Sequence, residues 1–185
     1  MKIIGLSASP HKKGNTAWVV GKILEGAEEK GAKTKVWSSG DIDIKPCKGC
    51  NACQKGDRGC TIKDDMQKIY KAIENSDAIV LGSPVYMGQM SGQAKLFTDR
   101  LYAVLFSKFA PRFKEDDKKK KLVIIFTQED PDESLYREYF EYTKRQFQLM
   151  GLDVQDIHVI ADTGKVPASE KKGLKAAMKE VGASL

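Results

Sequence analysis

Three aliphatic runs limit what this chain can fold into. They are Ile3-Ile4, Ile79-Val80-Leu81 and Leu122-Val123-Ile124-Ile125-Phe126, and no polar residue interrupts any of them. Strands that are buried on both faces have such runs, whereas strands with one solvated face alternate apolar and polar residues. Longer segments with helical spacing of apolar residues lie between the runs. The pattern predicts an α/β fold in which helices cover both faces of a parallel sheet.

Five strands and five helices are expected from this pattern. The strands are Lys2–Leu6, Thr34–Trp37, Ala78–Gly82, Leu122–Phe126 and Val154–Ile160. The first helix is expected to start after Gly14-Asn15 and to end before Gly31. The others are expected from Asp64 onward, from Gly92 to Phe106, from Asp130 to Gly151 and from Ala168 to Val181. The helix at Asp130 is inferred from a capping sequence that includes Pro131 and Glu133. We expect one domain over residues 1–185, with a cysteine-rich insertion at about 45–62.

Composition excludes several classes of protein. The 185 residues are 41% hydrophobic and 30% charged, which is enough apolar material for a core and too much for intrinsic disorder. Membrane spans are not expected, because no apolar run approaches the roughly 20 residues that cross a bilayer. A signal peptide is not expected, because Ser7, Ser9 and Pro10 break the apolar segment that starts at Ile3. We therefore expect a cytoplasmic protein. The net charge of +6 is mixed along the chain without a nucleic-acid motif, and the charged run Lys114–Lys121 is interpreted as a solvated loop.

The segment that follows the first strand has the residues of a phosphate site. Ser7–Thr16 reads SASPHKKGNT and brings hydroxyls and an amide to the start of a helix. Gly14 allows close approach of the backbone, and Lys12 and Lys13 add positive charge. The segment lacks both the Walker motif and the GxGxxG spacing. The alternative interpretation is an ordinary strand-to-helix turn in which Asn15 caps the helix.

The segment that follows the third strand suits a planar ring. Gly82–Ser91 reads GSPVYMGQMS, in which Pro84 restricts the backbone, Tyr86 offers a ring face and Gly88 permits close approach. A flat heteroaromatic group such as a flavin needs stacking on one side and hydrogen bonds at its edge. The alternative is that Val85-Tyr86-Met87 simply packs against the next helix.

All four cysteines fall within one short segment, at Cys47, Cys50, Cys53 and Cys60. Their CxxCxxC spacing with a later fourth cysteine is typical of iron–sulfur ligation. Zinc sites more often pair two CxxC motifs across a dozen or more residues. Three interpretations stay open from the spacing: a [4Fe–4S] cluster, a zinc ion, or thiols that hold no metal or form a local disulfide.

Together, the sequences SASPHKKGNT, GSPVYMG and CxxCxxC…C-x-I-x-DDM resemble the flavodoxin-like NAD(P)H-dependent FMN reductases. The cysteine spacing is most similar to that of their iron–sulfur flavoprotein branch. The resemblance covers about residues 1–130. It implies a doubly wound five-stranded parallel sheet of order 2-1-3-4-5, with one FMN per subunit.

The resemblance also implies roles for particular residues. The phosphate would be held by Ser7, Ser9, Asn15 and Thr16, with Lys12 as a possible cationic partner. The isoalloxazine ring would be surrounded by Pro84, Val85, Tyr86, Met87 and Gly88, and its far side closed by Thr127, Gln128 and Glu129. The cluster ligands would be Cys47, Cys50, Cys53 and Cys60. Two positions depart from the family pattern: His11-Lys12 stands where Arg is frequent, and Glu129 stands where Gly is frequent. His11 is expected to be an exposed loop residue without a role.

The function implied is that of an FMN-dependent oxidoreductase. Electrons would reach N5 of FMN from NAD(P)H or from an acidic carrier such as ferredoxin, in the second case through a [4Fe–4S] cluster. Because the cofactor carries the chemistry, no catalytic side chain is expected. Alternatives are a non-enzymatic flavodoxin-like electron carrier, an FMN reductase whose cysteine loop holds no cluster, and a zinc- or thiol-based binding module. The resemblance also implies a homodimer or homotetramer in which one subunit's cluster lies near another's flavin.

Overall fold

A computed structural model of the chain describes residues 1–55, 59–112 and 119–185. The strands are β1 (Lys2–Ser7), β2 (Lys33–Ser38), β3 (Ala78–Tyr86), β4 (Gln89–Met90), β5 (Phe106–Ser107), β6 (Ala110–Pro111), β7 (Lys121–Thr127) and β8 (Asp153–Ile160). The helices are α1 (Asn15–Glu29), α2 (Met66–Glu74), α3 (Gly92–Arg100), α4 (Tyr102–Leu105), α5 (Arg137–Leu149) and α6 (Leu174–Ser184). Two 3₁₀ turns, Ala52–Gln54 and Ala168–Glu170, complete the elements.

The five long strands form one parallel sheet in the order β2-β1-β3-β7-β8. Counted along the chain this is 2-1-3-4-5, so the expected flavodoxin-like order is confirmed. The order reverses between β1 and β3, where Ser7 lies opposite Gly82. Ligands in open sheets of this type bind beyond the carboxyl ends of the strands at such a reversal. The fold therefore directs attention to the segments that follow β1, β3 and β7.

Two apolar clusters occupy the two faces of the sheet. One cluster joins alternate strand residues such as Ile4 and Ile79 to α2, α3, α4 and α5, with Phe97 and Phe147 fully buried. The other joins the intervening strand residues to α1 and α6. The aliphatic runs thus lie between two layers of helices, as their lack of alternation predicts.

Helices α1 and α6 approach each other closely through glycine. A Cβ atom on Gly26 would lie 2.0 Å from the carbonyl oxygen of Lys179, and one on Gly182 would lie 1.8 Å from that of Ile23. Both distances are far shorter than a van der Waals contact. The α1–α6 contact consequently depends on the absence of a side chain at these two positions.

The predicted helix start at Asp130 is wrong. Asp130 instead accepts a hydrogen bond from the backbone N–H of Asp132 at 2.8 Å, and Asp132 accepts one from that of Ser134 at 2.9 Å. Side chains that bond to the backbone two residues ahead favour turns over helix, and α5 begins only at Arg137. The turns keep residues 130–136 at the carboxyl edge of the sheet, close to the end of β7.

Other boundaries also differ from those predicted. The helix expected over 92–106 breaks at Leu101 into α3 and α4 and is followed by the β5–β6 hairpin. The helix expected from Ala168 begins at Leu174. Residues 114–118 of the charged run lie outside the described residues, but its end is not a solvated loop: Lys120 is buried and donates to the carbonyl oxygens of Glu74 and Ser76.

The predicted loop at Gly82 is partly strand. Strand β3 continues through Tyr86 and turns at Met87-Gly88 into β4, with both turn residues at positive φ. Among the described residues, no helix is long and apolar enough to span a lipid bilayer.

Candidate functional site: a cleft and a cysteine cavity

A cleft of about 600 Å³ opens where β1, β3 and β7 end. Its volume falls within the range of small-molecule sites. It is lined by Ser9, His11, Gly14, Asn15, Thr16, Pro84, Val85, Tyr86, Met87, Thr127, Gln128, Glu129, Asp130, Tyr136 and Thr163.

The first wall of the cleft is the start of α1. The Ser9 hydroxyl accepts a hydrogen bond from the N–H of His11 at 3.1 Å, and the N–H of Gly14 donates to the carbonyl oxygen of His11 at the same distance. A Cβ on Gly14 would lie 3.0 Å from that of His11, so the turn is tight. The N–H groups in the first turn of a helix have no partner within the helix and attract anions. This end of the cleft is therefore suited to a phosphate.

Two buried threonines connect this wall to the end of β7. The hydroxyls of Thr16 and Thr127 share a hydrogen bond of 2.8 Å, and both residues line the cleft. That bond uses one of the two hydroxyl hydrogens, so the other can be donated to an anion. Ser7 is buried at the end of β1, and its Oγ has no hydrogen-bond partner among the described residues.

Asn15 and Lys12 are engaged elsewhere. The side chain of Asn15 donates to the carbonyl oxygen of Thr163 at 3.3 Å and accepts from the N–H of Ala168 at 2.8 Å. It therefore ties the segment after β8 to the start of α1. The ammonium group of Lys12 pairs with Asp41, in the turn after β2. Lys12 consequently contributes no direct contact to the cleft in this arrangement.

The second wall is the β3–β4 hairpin. Tyr86 is 43% exposed and Met87, at φ 50°, is fully exposed. The Ser83 hydroxyl accepts from the N–H of Ser91 at 2.9 Å, and the Ser91 hydroxyl donates to the carbonyl oxygen of Ala8 at 2.6 Å. The hairpin is thus fixed to the segment after β1. It presents an apolar, partly exposed surface to the cleft, as a planar ring requires.

The third wall follows β7. The side-chain amide of Gln128 donates to the carbonyl oxygens of Asp130 and Asp132, at 3.2 and 2.8 Å. Its Oε1 atom is buried and lacks a partner among the described residues, and Thr163 donates to the Gln128 carbonyl oxygen at 3.0 Å. Glu129 packs against Gly164, since a Cβ added to Gly164 would lie 3.3 Å from the side chain of Glu129. The fixed amide leaves an acceptor that a ligand N–H can satisfy.

Ten of the thirteen residues expected around a flavin line this cleft. Ser7, Lys12 and Gly88, all among the described residues, stand outside the lining. Sequence reasoning missed Asp130, Tyr136 and Thr163 and gave no role to His11, although all four line it. The available signals were a turn-forming Asp130-x-Asp132 and the position of Thr163 just after the last strand.

The four cysteines line a second, much smaller cavity. Its lining also includes Tyr70, Arg100 and Tyr102, and all four thiols are free. The backbone between the cysteines turns sharply, with positive φ at Gly49 (63°), Asn51 (53°) and Gly59 (61°). The topology thus brings together the residues that the spacing grouped.

Hydrogen bonds already reach two of the sulfurs. The Gln54 amide donates to Sγ of Cys53 at 3.4 Å. The N–H of Ala52 lowers the pKa of the Cys50 thiol, and the Thr61 hydroxyl and Lys48 charge act in the same direction against partial burial. Within the described residues, however, no three Cys, His, Asp or Glu side chains converge closely enough to hold a metal ion as they stand. The donors fit a thiolate site in kind and placement, and their side chains must close further to bind a metal.

A buried ion pair lies beside this cavity. The guanidinium of Arg100 makes a bidentate contact with Asp64, at 2.7 and 3.2 Å, and its Nε donates to the Tyr70 hydroxyl at 3.1 Å. Both charged side chains are almost completely buried. Burial disfavours their charged forms, but the mutual hydrogen bonds prevail, so the pKa of Asp64 is lowered and that of Arg100 is raised. Both groups are therefore charged at neutral pH.

The sheet order and the cleft at its carboxyl edge define a flavodoxin-like α/β protein. One solved structure of this fold is the NAD(P)H:quinone oxidoreductase from Methanothermobacter marburgensis, with a TM-score of 0.77 over 100% of this chain and 96% of that one, at 16% identity. The sequence profile described as NADPH-dependent FMN reductase matches residues 1–128. The chain belongs to this family.

Sequence relatives indicate which branch of this family the chain resembles. An iron–sulfur flavoprotein of Methanocaldococcus jannaschii is 43% identical over 100 residues, which are 54% of this chain and 51% of that protein. An iron–sulfur flavoprotein of Methanosarcina thermophila is 39% identical over 110 residues, 60% of this chain and 57% of that protein. The resemblance to the iron–sulfur flavoprotein branch is thus confirmed. The matched part spans about half the length of these relatives.

Proposed function

We propose that this protein is an FMN-dependent oxidoreductase that moves electrons between NAD(P)H, or a reduced carrier such as ferredoxin, and an acceptor. One observation carries the proposal: a single cleft of about 600 Å³ has an anion-binding helix start at one end and an exposed tyrosine hairpin at the other. FMN is a molecule with a phosphate at one end and a planar ring at the other. Family membership supports the same cofactor.

At the phosphate end, the cleft supplies hydrogen-bond donors, and the described residues that line it include no Lys or Arg. Ser9 and Thr16 would donate from their hydroxyls, and the backbone N–H groups at the start of α1 would add to them. Asn15 would act indirectly, because its side chain holds the segment after β8 in place. Neutral donors fixed around an anion stabilise it without the cost of ordering a long basic side chain.

At the ring end, the chain supplies position and polarity. The hairpin from Pro84 to Met87 would support the isoalloxazine, and the free Oε1 of Gln128 would accept one of its N–H groups. When bound, FMN supplies the transfer of one or two electrons. The exposure of Tyr86 and Met87 leaves the ring side of the cleft open to a second reactant.

We further propose that Cys47, Cys50, Cys53 and Cys60 hold a [4Fe–4S] cluster, which would supply single-electron transfer. The support is their common cavity, the left-handed backbone between them and the names of the relatives. An FMN reductase with an empty cysteine loop is the second candidate, because the described thiols are not gathered at metal-binding distance. A homodimer or homotetramer is proposed for the assembly, and the charge of +6 favours an acidic carrier as partner.

Anaerobic purification with a visible spectrum and with flavin, iron and sulfide assays tests both parts. We expect one FMN per chain and iron and sulfide in equal amounts. Flavin without iron would favour the empty-loop reductase, and zinc would favour the binding-module interpretation. Steady-state turnover with NADPH and an electron acceptor then separates an enzyme from a carrier, since a flavodoxin-like carrier would show negligible rates.

A further inference from the structure

Both ends of the cysteine segment are fastened to the region where α2 begins. Before Cys47, the N–H of Lys45 donates to Asp64 at 2.9 Å, and the Lys45 carbonyl oxygen accepts from Arg100 at 2.8 Å. At the other end of the segment, the Gln67 amide donates to the carbonyl oxygens of Cys60 and Ile62, at 3.0 and 2.6 Å. The DDM sequence and its neighbours therefore organise the segment that carries the thiols.

Arg100 goes beyond this structural role because it lines the cavity itself. Arg100 and Tyr70 belong to the cavity lining, whereas Asp64 is outside the set of described residues that line it. Arg100 thus forms part of the cavity wall beside the thiols, as does Asp99, whereas Asp64 pairs with Arg100 from outside that lining. Four hydrogen bonds, two to Asp64 and one each to Tyr70 and Lys45, use four of the five guanidinium N–H groups and hold it in that position.

A buried ion pair is a weak device for stability. Well-packed apolar residues of similar volume often stabilise a fold equally well, because the desolvation of two charges offsets their attraction. A cation that is 1% exposed at the edge of a thiol cavity has a different use. Reduction adds one negative charge to a cluster, and a nearby buried cation stabilises that charge with little screening by solvent.

We propose that Arg100 sets the reduction potential of the cluster held by the four cysteines, and that Asp64 limits its effect. The potential of an iron–sulfur site depends on net charge and on hydrogen bonds around the sulfurs. Arg100 raises the potential by favouring the reduced state, and Asp64 lowers it by partly cancelling the charge of Arg100. This inference rests on the proposed function, since it requires a cluster in the cavity.

Opposite shifts in two variants test the proposal. Arg100→Met removes the cation, Asp64→Asn keeps the shape of its partner but removes the negative charge, and Lys22→Met is the control. Lys22 lies on α1, on the other face of the sheet from the cysteine cavity, and pairs with Glu25. Each protein is purified anaerobically, assayed for iron and sulfide, and titrated reductively while the electron paramagnetic resonance signal of the reduced cluster is followed.

At a fixed potential near the midpoint, we expect Arg100→Met to lower the ratio of reduced to oxidised cluster about tenfold, which for one electron is about 59 mV. We expect Asp64→Asn to raise that ratio and Lys22→Met to leave it unchanged. If the unaltered protein contains flavin but no iron, the proposed cluster is absent, and the role of Arg100 is refuted with it. If it contains iron and Asp64→Asn has full iron with an unshifted midpoint, Arg100 does not set the potential. Loss of iron in both variants would show that the Arg100–Asp64 pair only anchors the cysteine segment, and it would also overturn the proposal. If Arg100→Met fails to fold, the midpoint of Asp64→Asn alone tests the proposal.

Discussion

Thr16→Val keeps the shape of a buried side chain while removing the hydroxyl that we assign to the phosphate of FMN. This hydroxyl shares a 2.8 Å hydrogen bond with Thr127. When Thr127 donates in that bond, the hydrogen of the Thr16 hydroxyl is free for the phosphate. A hydrogen bond to a charged group is worth about 1.5–3 kcal/mol, so the Kd for FMN should rise roughly 10- to 150-fold. Riboflavin, which lacks the phosphate, should bind the variant and the unaltered protein equally.

Fluorescence titration with both flavins measures the effect, and Thr163→Val is the matched control. The Thr163 hydroxyl donates to the carbonyl oxygen of Gln128 on the opposite wall, so its loss should change the affinities for FMN and riboflavin by the same factor. If Thr16→Val weakened both flavins equally, or neither, the phosphate would not lie at the start of α1. The assignment of that wall would then have to be abandoned.

Three further predictions concern the cysteines, helix packing and acid stability. Cys50→Ala should remove iron and leave FMN bound, by iron assay and visible spectrum, and loss of both would mean that the two sites depend on each other. Gly26→Ala places a Cβ within 2.0 Å of a carbonyl oxygen and should lower the free energy of unfolding, measured with urea, by about 1–3 kcal/mol. In Gly21→Ala the new Cβ meets nothing within 4 Å, so this control should raise the free energy of unfolding by about 0.5–1 kcal/mol. Equal effects of the two substitutions would refute the packing argument. Hydrogen bonds with Lys179 and Lys22 lower the pKa of Glu25 from 4.5 to about 2. Its contribution to stability is therefore complete above pH 4.5 and is lost as the pH falls towards 2, and Glu25→Gln should flatten this part of a curve of Tm against pH.

The strands were predictable because their physics is local. Runs such as Leu122–Phe126 have no polar positions, and a strand with apolar residues on both sides needs a helix layer on each face. The order of the strands came from the family resemblance rather than from the runs. The helix start predicted at Asp130 was wrong because a side chain that can cap a helix there accepts a hydrogen bond from the backbone N–H of Asp132 and closes a turn instead.

The cleft was largely predictable because most of its residues directly follow strands. Ser9, Pro84 and Gln128 lie just beyond or at the ends of three adjacent parallel strands and must therefore meet. Tyr136 and Thr163 could not be found in this way. They reach the cleft through the turns after β7 and the bonds of Asn15 to the segment after β8, which are contacts between distant parts of the chain.

The cysteine cavity was likewise predictable only in part. The spacing alone groups Cys47, Cys50 and Cys53, but it does not reveal the charged group beside them. Arg100 is far along the chain, at the end of α3, where the sequence predicted only that a helix runs from Gly92 to Phe106. Its contacts with Asp64 and Tyr70 arise from the packing of α2 against α3 and α4, which no local pattern encodes.

Titration of the flavin-free protein with FMN tests the central claim most directly. The flavin is removed, FMN is added in steps, and bound flavin is measured by fluorescence together with the chain concentration. We expect saturation at one FMN per chain, with binding weakened in Thr16→Val and retained in Cys50→Ala. A titration that never saturates, or that saturates equally in Thr16→Val, would contradict the assignment of the cleft as an FMN site.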